Sequence, residues 1–128
     1  MARTLLAVVV DCGDAAEQAR WWAAVLGRQV SERNPGEFEV SDPTGAATPL
    51  YFMNVPELKT VKDRLHLDIT TDGSLTEELS ALSAMGATLL ELRQDSDSFA
   101  NADRWAVMQD PEGNEFCVLE AESVTGMA

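Results

Sequence analysis

The stretch Leu5-Leu-Ala-Val-Val-Val-Asp11 has a counterpart further along the chain in Leu65-His-Leu-Asp-Ile-Thr-Thr71. Each stretch leads into a helical segment that ends at a glycine, Gly27 in the first case and Gly86 in the second. The glycines lie 86 − 27 = 59 positions apart, and the same offset aligns the two apolar stretches without a gap. Self-similarity at this scale predicts a duplicated supersecondary unit whose two copies enclose a ligand-binding cleft.

The order of elements expected in each repeat is β-α-β-β-β. Capping-box sequences, Asp14 with Glu17 and Ser74 with Glu77, begin the two helices, and the glycines end them. Runs of apolar residues bounded by turn residues indicate the strands. The expected helices are 15–26 and 75–85, and the expected strands are 4–10, 29–32, 37–41, 49–55, 65–71, 88–93, 105–109 and 115–120.

Each repeat also contains an Asp-Pro-X-Gly turn, in which proline fixes φ and glycine accepts a positive φ. These turns are Asp42-Pro-Thr-Gly45 and Asp110-Pro-Glu-Gly113, and the second predicts a hairpin. The interval from glycine to turn is 110 − 86 = 24 residues in the second repeat against 42 − 27 = 15 in the first. The extra residues fall in the polar segment from Arg93 to Asp103, which is either a lid or a tolerated insertion.

The composition is that of one compact domain. A chain of 128 residues that is 45% hydrophobic is expected to fold as a single domain, residues 1–128, with module 1 at about 1–58 and module 2 at about 63–122. Its longest apolar stretch is far shorter than the ~20 residues of a membrane span, and its N-terminus lacks the apolar segment of a signal peptide. A cytoplasmic location with reduced Cys12 and Cys117 is therefore expected.

The charge balance is strongly acidic. Nine Lys and Arg residues against 22 Asp and Glu residues give a formal net charge of −13. This charge would repel phosphate backbones, so nucleic acid is not an expected partner. Solubility is one interpretation of the acidic surface, and attraction of a cationic ligand is the other.

His66 is the only histidine of the chain, so any imidazole-based chemistry must use it. Side chains alternate across a strand, so the apolar residues of the stretch 65–71 share one face and its polar residues share the other. The apolar residues are Leu65, Leu67 and Ile69, and the polar ones are His66, Asp68 and Thr70. If the helices cover the apolar face, these polar residues face the cleft, and Cys117 shares the cleft by the same alternation. His66 is then a candidate catalytic residue or a hydrogen-bonded histidine without a catalytic role.

Aromatic residues are candidates for the walls of the cleft, because they provide a large contact area at low entropy cost. The first helix must also bury one face, so at least one of the adjacent Trp21 and Trp22 is expected in the core or at an interface. The residues predicted to contact a ligand are His66, Asp68, Cys117, Trp105, Tyr51, Phe52 and Trp22.

The chain resembles the vicinal oxygen chelate superfamily, in particular its glyoxalase-like and bleomycin-resistance-like members. The resemblance lies in the doubled unit and in Trp21-Trp-Ala-Ala-Val-Leu-Gly27, Arg64-Leu-His-Leu-Asp68 and Trp105-Ala-Val-Met-Gln-Asp-Pro-Glu-Gly-Asn-Glu-Phe-Cys117. It implies an α+β fold of two tandem β-α-β-β-β modules that form a curved mixed sheet around a cleft, and it implies a homodimer. In metal-dependent members, a divalent ion has one ligand near the first strand and one near the last strand of each module.

The resemblance assigns four residues of this chain to those positions. Only one of them, His66, is a ligand suited to a hard ion. The matching first-strand residue of module 1 is Ala7. The last-strand positions are Cys117 in module 2 and a residue within 50–52 in module 1. A divalent ion that prefers oxygen and imidazole donors would be held poorly by this set, so no metal and no cofactor is expected.

The incomplete metal site disfavours reactions in which a metal stabilises an enediolate or activates oxygen. The favoured hypothesis is a protein that binds a small molecule in an acidic, aromatic-lined cleft without a metal, for example to sequester a cationic or aromatic drug. The alternative is a glyoxalase-like lyase or isomerase, or a dioxygenase-type enzyme, that uses His66 as a base or metal ligand. A structural or regulatory homodimer is a third hypothesis, and whether the chain is an enzyme stays open.

Overall fold

A computed structural model describes residues 1–94 and 104–120 of the chain. Contacts between Cα atoms divide the chain into two compact units, unit 1 (Met1–Lys59) and unit 2 (Thr60–Ala128). No helix within the described residues is long and apolar enough to cross a membrane. Most of the segment from Arg93 to Asp103, for which a lid was one hypothesis, lies outside the described residues. The single-domain organisation stays a prediction.

Unit 1 consists of one helix and a four-stranded mixed sheet. Its elements are β1 (Val8–Cys12), α1 (Ala15–Leu26), β2 (Gln29–Asn34), β3 (Glu37–Ser41) and β4 (Leu50–Asn54). The strand order is β1-β4-β3-β2, in which β1 runs parallel to β4 and the other neighbours are antiparallel.

The first strand begins at Val8, whereas the sequence predicted a start at residue 4. The first hydrogen bond of its pairing with β4 is donated by the Val8 amide to the Pro49 carbonyl oxygen at 3.1 Å. Proline has no amide proton, so Pro49 cannot donate the next bond and the ladder stops there. The sequence prediction counted apolar residues, but a strand extends only as far as its partner offers hydrogen bonds.

Helix α1 is fixed at both ends by local contacts. The Asp14 carboxylate accepts a hydrogen bond from the Glu17 amide at 3.1 Å, and the helix ends at Gly27 with a φ of 64°. A side chain at that left-handed position would be strained, which explains the glycine. The Asn54 side-chain oxygen accepts a hydrogen bond from the Ala15 amide at 2.8 Å, so the last residue of β4 also anchors the start of the helix.

Unit 2 repeats this arrangement. Its elements are β5 (Leu67–Thr71), α2 (Leu75–Ala84), β6 (Thr88–Arg93), β7 (Trp105–Gln109) and β8 (Glu115–Glu120). The strand order is β5-β8-β7-β6, with β5 parallel to β8 and the remaining pairs antiparallel. Helix α2 starts at Ser74, whose hydroxyl accepts a hydrogen bond from the Glu77 amide at 3.1 Å.

The buried residues of unit 2 show which side of its sheet the helix covers. Four side chains that alternate along β7 and β8 are at most 1% exposed, and Leu75 and Leu82 of α2 are equally buried. Their burial places the apolar core between α2 and one face of the sheet. The strand residues of that core are Ala106, Met108, Phe116 and Val118.

The predicted α+β class and the doubled β-α-β-β-β order are confirmed, with two four-stranded mixed sheets and one helix for each. Two further predictions at element ends were wrong. Strand β5 begins at Leu67, so Leu65 precedes the sheet and is 84% exposed instead of lying on the apolar face. Helix α2 ends at Ala84, which leaves Met85 40% exposed at the helix cap.

The two Asp-Pro-X-Gly turns have different surroundings. In the β7–β8 hairpin, the buried Asp110 carboxylate accepts hydrogen bonds from the Glu112 amide at 2.9 Å, the Asn114 amide at 3.0 Å and the Asn114 side-chain nitrogen at 3.1 Å. The Asp42 carboxylate accepts a comparable set from Thr44 and Ala47 but lies at the surface. Burial makes the hydrogen bonds of Asp110 harder for water to replace.

We therefore expect Asp110→Ala to lower the free energy of unfolding by about 1–3 kcal/mol, because it leaves the hairpin amides without their acceptor. Asp42→Ala is the matched control in the other repeat, and its loss should be smaller because water reaches the donors that it exposes. Urea unfolding followed by circular dichroism measures both variants. Equal losses would show that burial of the turn does not strengthen it.

Candidate functional site

In unit 2, residues that lie directly opposite one another on the neighbouring strands β5, β8 and β7 form rows across the sheet, and two of these rows carry chemically active side chains. One row is Asp68–Cys117–Val107 and the next is Thr70–Leu119–Trp105. These six residues lie on the side of the sheet opposite α2, because the residues between them belong to the buried core. We refer to this side, defined by the two rows, as the open face of unit 2.

A polar cluster of His66, Asp68 and Cys117 lies at the end of this face. His66 Nε2 is 3.2 Å from Asp68 Oδ1, and one ligand-type atom from each of the three residues lies within 4.8 Å of the others. The side chains of His66 and Asp68 are 36% and 30% exposed, and Cys117 is half-buried. The sequence predicted that His66 and Asp68 share one side of their strand and that Cys117 shares the cleft with them, and the structure brings the three side chains together.

Local contacts hold the segment that carries His66. This residue comes directly before β5, whose first paired residue, Leu67, lies opposite Phe116 of β8. The Glu115 Oε1 atom accepts a hydrogen bond from the Asp63 amide at 2.7 Å, which fastens the incoming chain to the sheet. Glu115 therefore has a positioning contact that no local sequence pattern indicated, because it joins residues 52 positions apart.

The thiol of Cys117 is protonated at neutral pH. Burial, followed by the charge and the hydrogen bond of Asp68, raises its pKa from 9.0 to about 11, although Lys62 opposes the shift. The thiol and His66 Nε2 thus both face the Asp68 carboxylate. Because the charged partner of the thiol is an anion, the cluster stabilises the thiol form and gives no activation to a thiolate nucleophile.

Apolar side chains continue the site beyond the polar cluster. Trp105 and Cys117 pack against the buried Leu119, and the Arg93 guanidinium carbon lies 5.5 Å from the centre of the Trp105 ring. Trp105 is only partly buried, so it offers ring surface to a ligand on the open face. The contact with Arg93 is one that sequence patterns could not have found, since it joins two strands.

Unit 1 has different chemistry at the equivalent place. Val9 is the counterpart of Asp68, because 68 − 9 = 59 is the offset of the sequence repeat. Val9 pairs with Tyr51, and Asp68 pairs with Cys117. Tyr51 is therefore the counterpart of Cys117. The Arg33 guanidinium carbon lies 4.1 Å from the centre of the Tyr51 ring. Arg33 also forms ion pairs with Glu37 at 2.8 Å and with Glu39 at 3.5 Å.

Two residues of the predicted ligand-binding set lie in the core of unit 1. Phe52 is 0% exposed and Trp22 of α1 is 3% exposed, and Trp22 meets the Trp21 ring edge-on. Tyr51 and Phe52 are consecutive in β4 and therefore point to opposite sides of the sheet. Strand alternation was the signal that could have separated them in the sequence.

The residues at the four metal-binding positions do not fit a hard divalent ion. Unit 1 provides the methyl group of Ala7 and the phenol of Tyr51, and Tyr51 already packs against a guanidinium. Unit 2 provides the imidazole of His66 and the thiol of Cys117. Ions such as Mg²⁺ and Mn²⁺ prefer several carboxylate, carbonyl or water oxygens, and Asp68 is the one carboxylate in the cluster.

The family model described as a Glyoxalase-like domain matches residues 7–119. This match covers most of the chain, so the chain belongs to the glyoxalase-like family, and the resemblance to the vicinal oxygen chelate superfamily is confirmed. A comparison with curated proteins finds no significant match.

Solved structures share the fold at low sequence identity. A glyoxalase/bleomycin resistance protein/dioxygenase family enzyme from Burkholderia phytofirmans PsJN has 19% identity and a TM-score of 0.70, and the alignment covers 90% of this chain and 96% of that chain. A mutant of the fosfomycin resistance protein FosX from Listeria monocytogenes, complexed with Mn(II) and 1S,2S-dihydroxypropylphosphonic acid, has 12% identity, a TM-score of 0.70 and coverages of 97% and 96%. At such identities the likeness establishes the fold and no activity.

The protonation state of Cys117 can be measured through its reactivity. A thiol with a pKa of about 11 is ionised in about one molecule per thousand at pH 8, so alkylation by iodoacetamide should be slow and should rise until about pH 11. We expect Asp68→Asn to lower this pKa and speed the reaction, and Lys62→Gln to slow it. Rates come from intact-mass spectrometry in a Cys12→Ser background. A midpoint at or below the ordinary thiol value would contradict the assignment.

Proposed function

We propose that this chain binds a small molecule on the open face of unit 2, with the His66–Asp68–Cys117 cluster as the polar recognition group. The observation that carries the proposal is the convergence of these three side chains beside an accessible tryptophan. An imidazole, a carboxylate and a thiol offer a ligand both hydrogen-bond donors and acceptors. Few convergent polar groups on an otherwise apolar wall are typical of a small-molecule site.

The chemistry of the site favours a cationic or aromatic ligand. Asp68 contributes a partly exposed carboxylate, and the formal charge of the chain is −13, so a cation is attracted at long range and at contact. Trp105 provides a flat surface for an aromatic ring. A protein with these properties would sequester a drug by holding it, without changing it.

The proposed binding does not require a hard divalent ion. The residues at the family's metal positions are unsuited to such an ion, as described above, and the ligand would contact Asp68 and His66 directly. Structural relatives whose names refer to bleomycin resistance and fosfomycin resistance support a role in which this fold handles antibiotics. We propose a cytoplasmic location for this function, as the sequence predicted.

A second candidate function is catalysis by His66. Asp68 Oδ1 lies 3.2 Å from His66 Nε2, an arrangement in which a carboxylate fixes the orientation of an imidazole base. Cys117 would not serve as a nucleophile in such an enzyme, because its thiol is protonated at neutral pH. The reaction class would be the lyase or isomerase chemistry expected from the resemblance, with the Nδ1 atom of His66 as the base.

We expect planar aromatic cations or basic glycopeptides to bind the wild-type chain with an affinity that falls as salt is raised, because salt screens the attraction to Asp68. Isothermal titration calorimetry of a panel at low and high salt measures this. Asp68→Asn and Trp105→Ala should each weaken binding about tenfold, which corresponds to about 1.4 kcal/mol. The matched control is Asp72→Asn, which removes the same charge from the turn after β5 and should leave affinity within about twofold.

Two outcomes would count against direct binding. Affinity that is indifferent to Asp68→Asn and Trp105→Ala would place the ligand elsewhere on the chain. Absence of binding across the panel, together with turnover of α-oxoaldehyde adducts that is lost in His66→Gln, would favour the catalytic function. Circular dichroism of each variant establishes that it is folded before these comparisons are made.

We also propose that the chain is a two-fold homodimer, because the resemblance implies that related modules are completed by a second copy. Multi-angle light scattering at micromolar concentration should therefore give twice the mass of 13.9 kDa. A monomer mass that persists as concentration is raised tenfold would contradict this prediction.

A further inference from the structure

The strand register of unit 2 fixes where the carboxylate and the aromatic ring of the open face lie. Asp68 belongs to β5 and Trp105 belongs to β7, and β8 runs between these two strands. The two residues also lie in neighbouring rows, because Cys117 stands opposite Asp68 and Leu119 stands opposite Trp105. The carboxylate and the ring are therefore separated both across the strands and along them.

Sheet geometry converts this register into a distance. Neighbouring strands lie about 4.8 Å apart, so two strand spacings amount to about 10 Å. Neighbouring rows are about 7 Å apart along a strand, so the diagonal between the two backbone positions is about 12 Å. Trp105 packs against Leu119 of β8, which brings its ring towards Asp68. A cation at the carboxylate and a ring stacked on Trp105 would thus be about 10 Å apart.

The described residues between these two groups are uncharged. Leu119 is buried, and the half-buried Cys117 packs against it. The Cys117 thiol is neutral at neutral pH, because burial and the charge of Asp68 raise its pKa to about 11. A methylene chain can cover such a surface without loss of hydration, whereas a polar chain would give up hydrogen bonds to water.

Arg93 gives the open face a direction. It lies directly opposite Trp105 on β6, and its guanidinium carbon is 5.5 Å from the centre of the Trp105 ring. Glu91 lies opposite Val107 at the same edge of the sheet, and its carboxylate is 3.7 Å from Arg93 Nε, so the two charges offset each other. At the other end, the ion pair of Asp68 is with an imidazole. A cationic group is therefore favoured at the Asp68 end, with its ring at the Trp105 end.

We infer that the open face of unit 2 selects amphipathic amines in which an apolar spacer holds a cationic group and an aromatic ring about 10 Å apart. This inference rests on the proposed function and names the class of ligand for the same site. An amine with one or two carbons between its charge and its ring would reach Asp68 or Trp105, but not both at once. The register of three strands thereby sets the length of the preferred ligand.

The test is calorimetric titration of the full chain with ω-phenylalkylamines that differ only in the number of methylene groups. An extended chain advances roughly 1.3 Å per single bond, so about six methylene groups place the nitrogen about 10 Å from the ring centre. We expect 6-phenylhexylamine to lose about tenfold in affinity in Asp68→Asn and again in Trp105→Ala. Benzylamine should lose no more than about twofold in either variant, because one contact can replace the other.

Three controls separate this length preference from other effects. The uncharged 6-phenylhexanol reports the burial of methylene groups alone, and its affinity should not change in Asp68→Asn. Trp105→Leu removes the ring but keeps an apolar side chain against Leu119, so it should reproduce the loss seen in Trp105→Ala. Glu91→Gln removes a carboxylate from the opposite edge of the sheet and should leave the affinity for 6-phenylhexylamine within about twofold.

The outcomes distinguish a failure of this inference from a failure of the proposed function. Losses in the Asp68 and Trp105 variants that are the same for every spacer, or largest for benzylamine, would overturn the length preference and leave the proposed function standing. A loss in Glu91→Gln as large as that in Asp68→Asn would also overturn the inference, because the cation would then lie at the other edge. Failure of every amine to bind, or binding indifferent to all these substitutions in folded variants, would overturn both.

Discussion

The parallel pairing of β5 with β8 is the contact on which the candidate site depends. Its register places Asp68 directly opposite Cys117, and His66 directly precedes its first paired residue, Leu67. A slip of one residue would turn either Asp68 or Cys117 towards α2 and would place a charge or an apolar side chain on the wrong side. Backbone hydrogen bonds therefore assemble the cluster, and the apolar core beneath α2 selects the register.

The two repeats have kept one architecture and acquired different surfaces. The same register that joins Asp68 to Cys117 in unit 2 joins Val9 to Tyr51 in unit 1. In unit 1, the ring of Tyr51 is covered by Arg33, whose charge is balanced by neighbouring carboxylates. Unit 2 retains polar side chains that a ligand can reach. The two units thus share a scaffold, and equivalent pairings in them hold different side chains, with the His66–Asp68–Cys117 cluster in unit 2.

Asp68 is the central residue of the cluster, because both neighbours face its carboxylate. Its charge orients His66, and together with burial, which is the larger cause, it raises the pKa of the Cys117 thiol and disfavours a thiolate nucleophile. In the proposed function, the same group attracts an organic cation to the open face of unit 2. That proposal follows from one carboxylate placed beside an imidazole and a sulfur on a partly exposed sheet face.

Local patterns in the sequence determined the elements, the α+β class and the repeat, because capping, turn chemistry and apolar periodicity act between residues that are close in the chain. Alternation also predicted that His66 and Asp68 share a face. Only the tertiary structure decided that Tyr51 is the counterpart of Cys117, that Trp22 and Phe52 belong to the core, and that Asp68 meets both His66 and Cys117. These outcomes depend on strand register, which is set by long-range backbone pairing and core packing that no local pattern records.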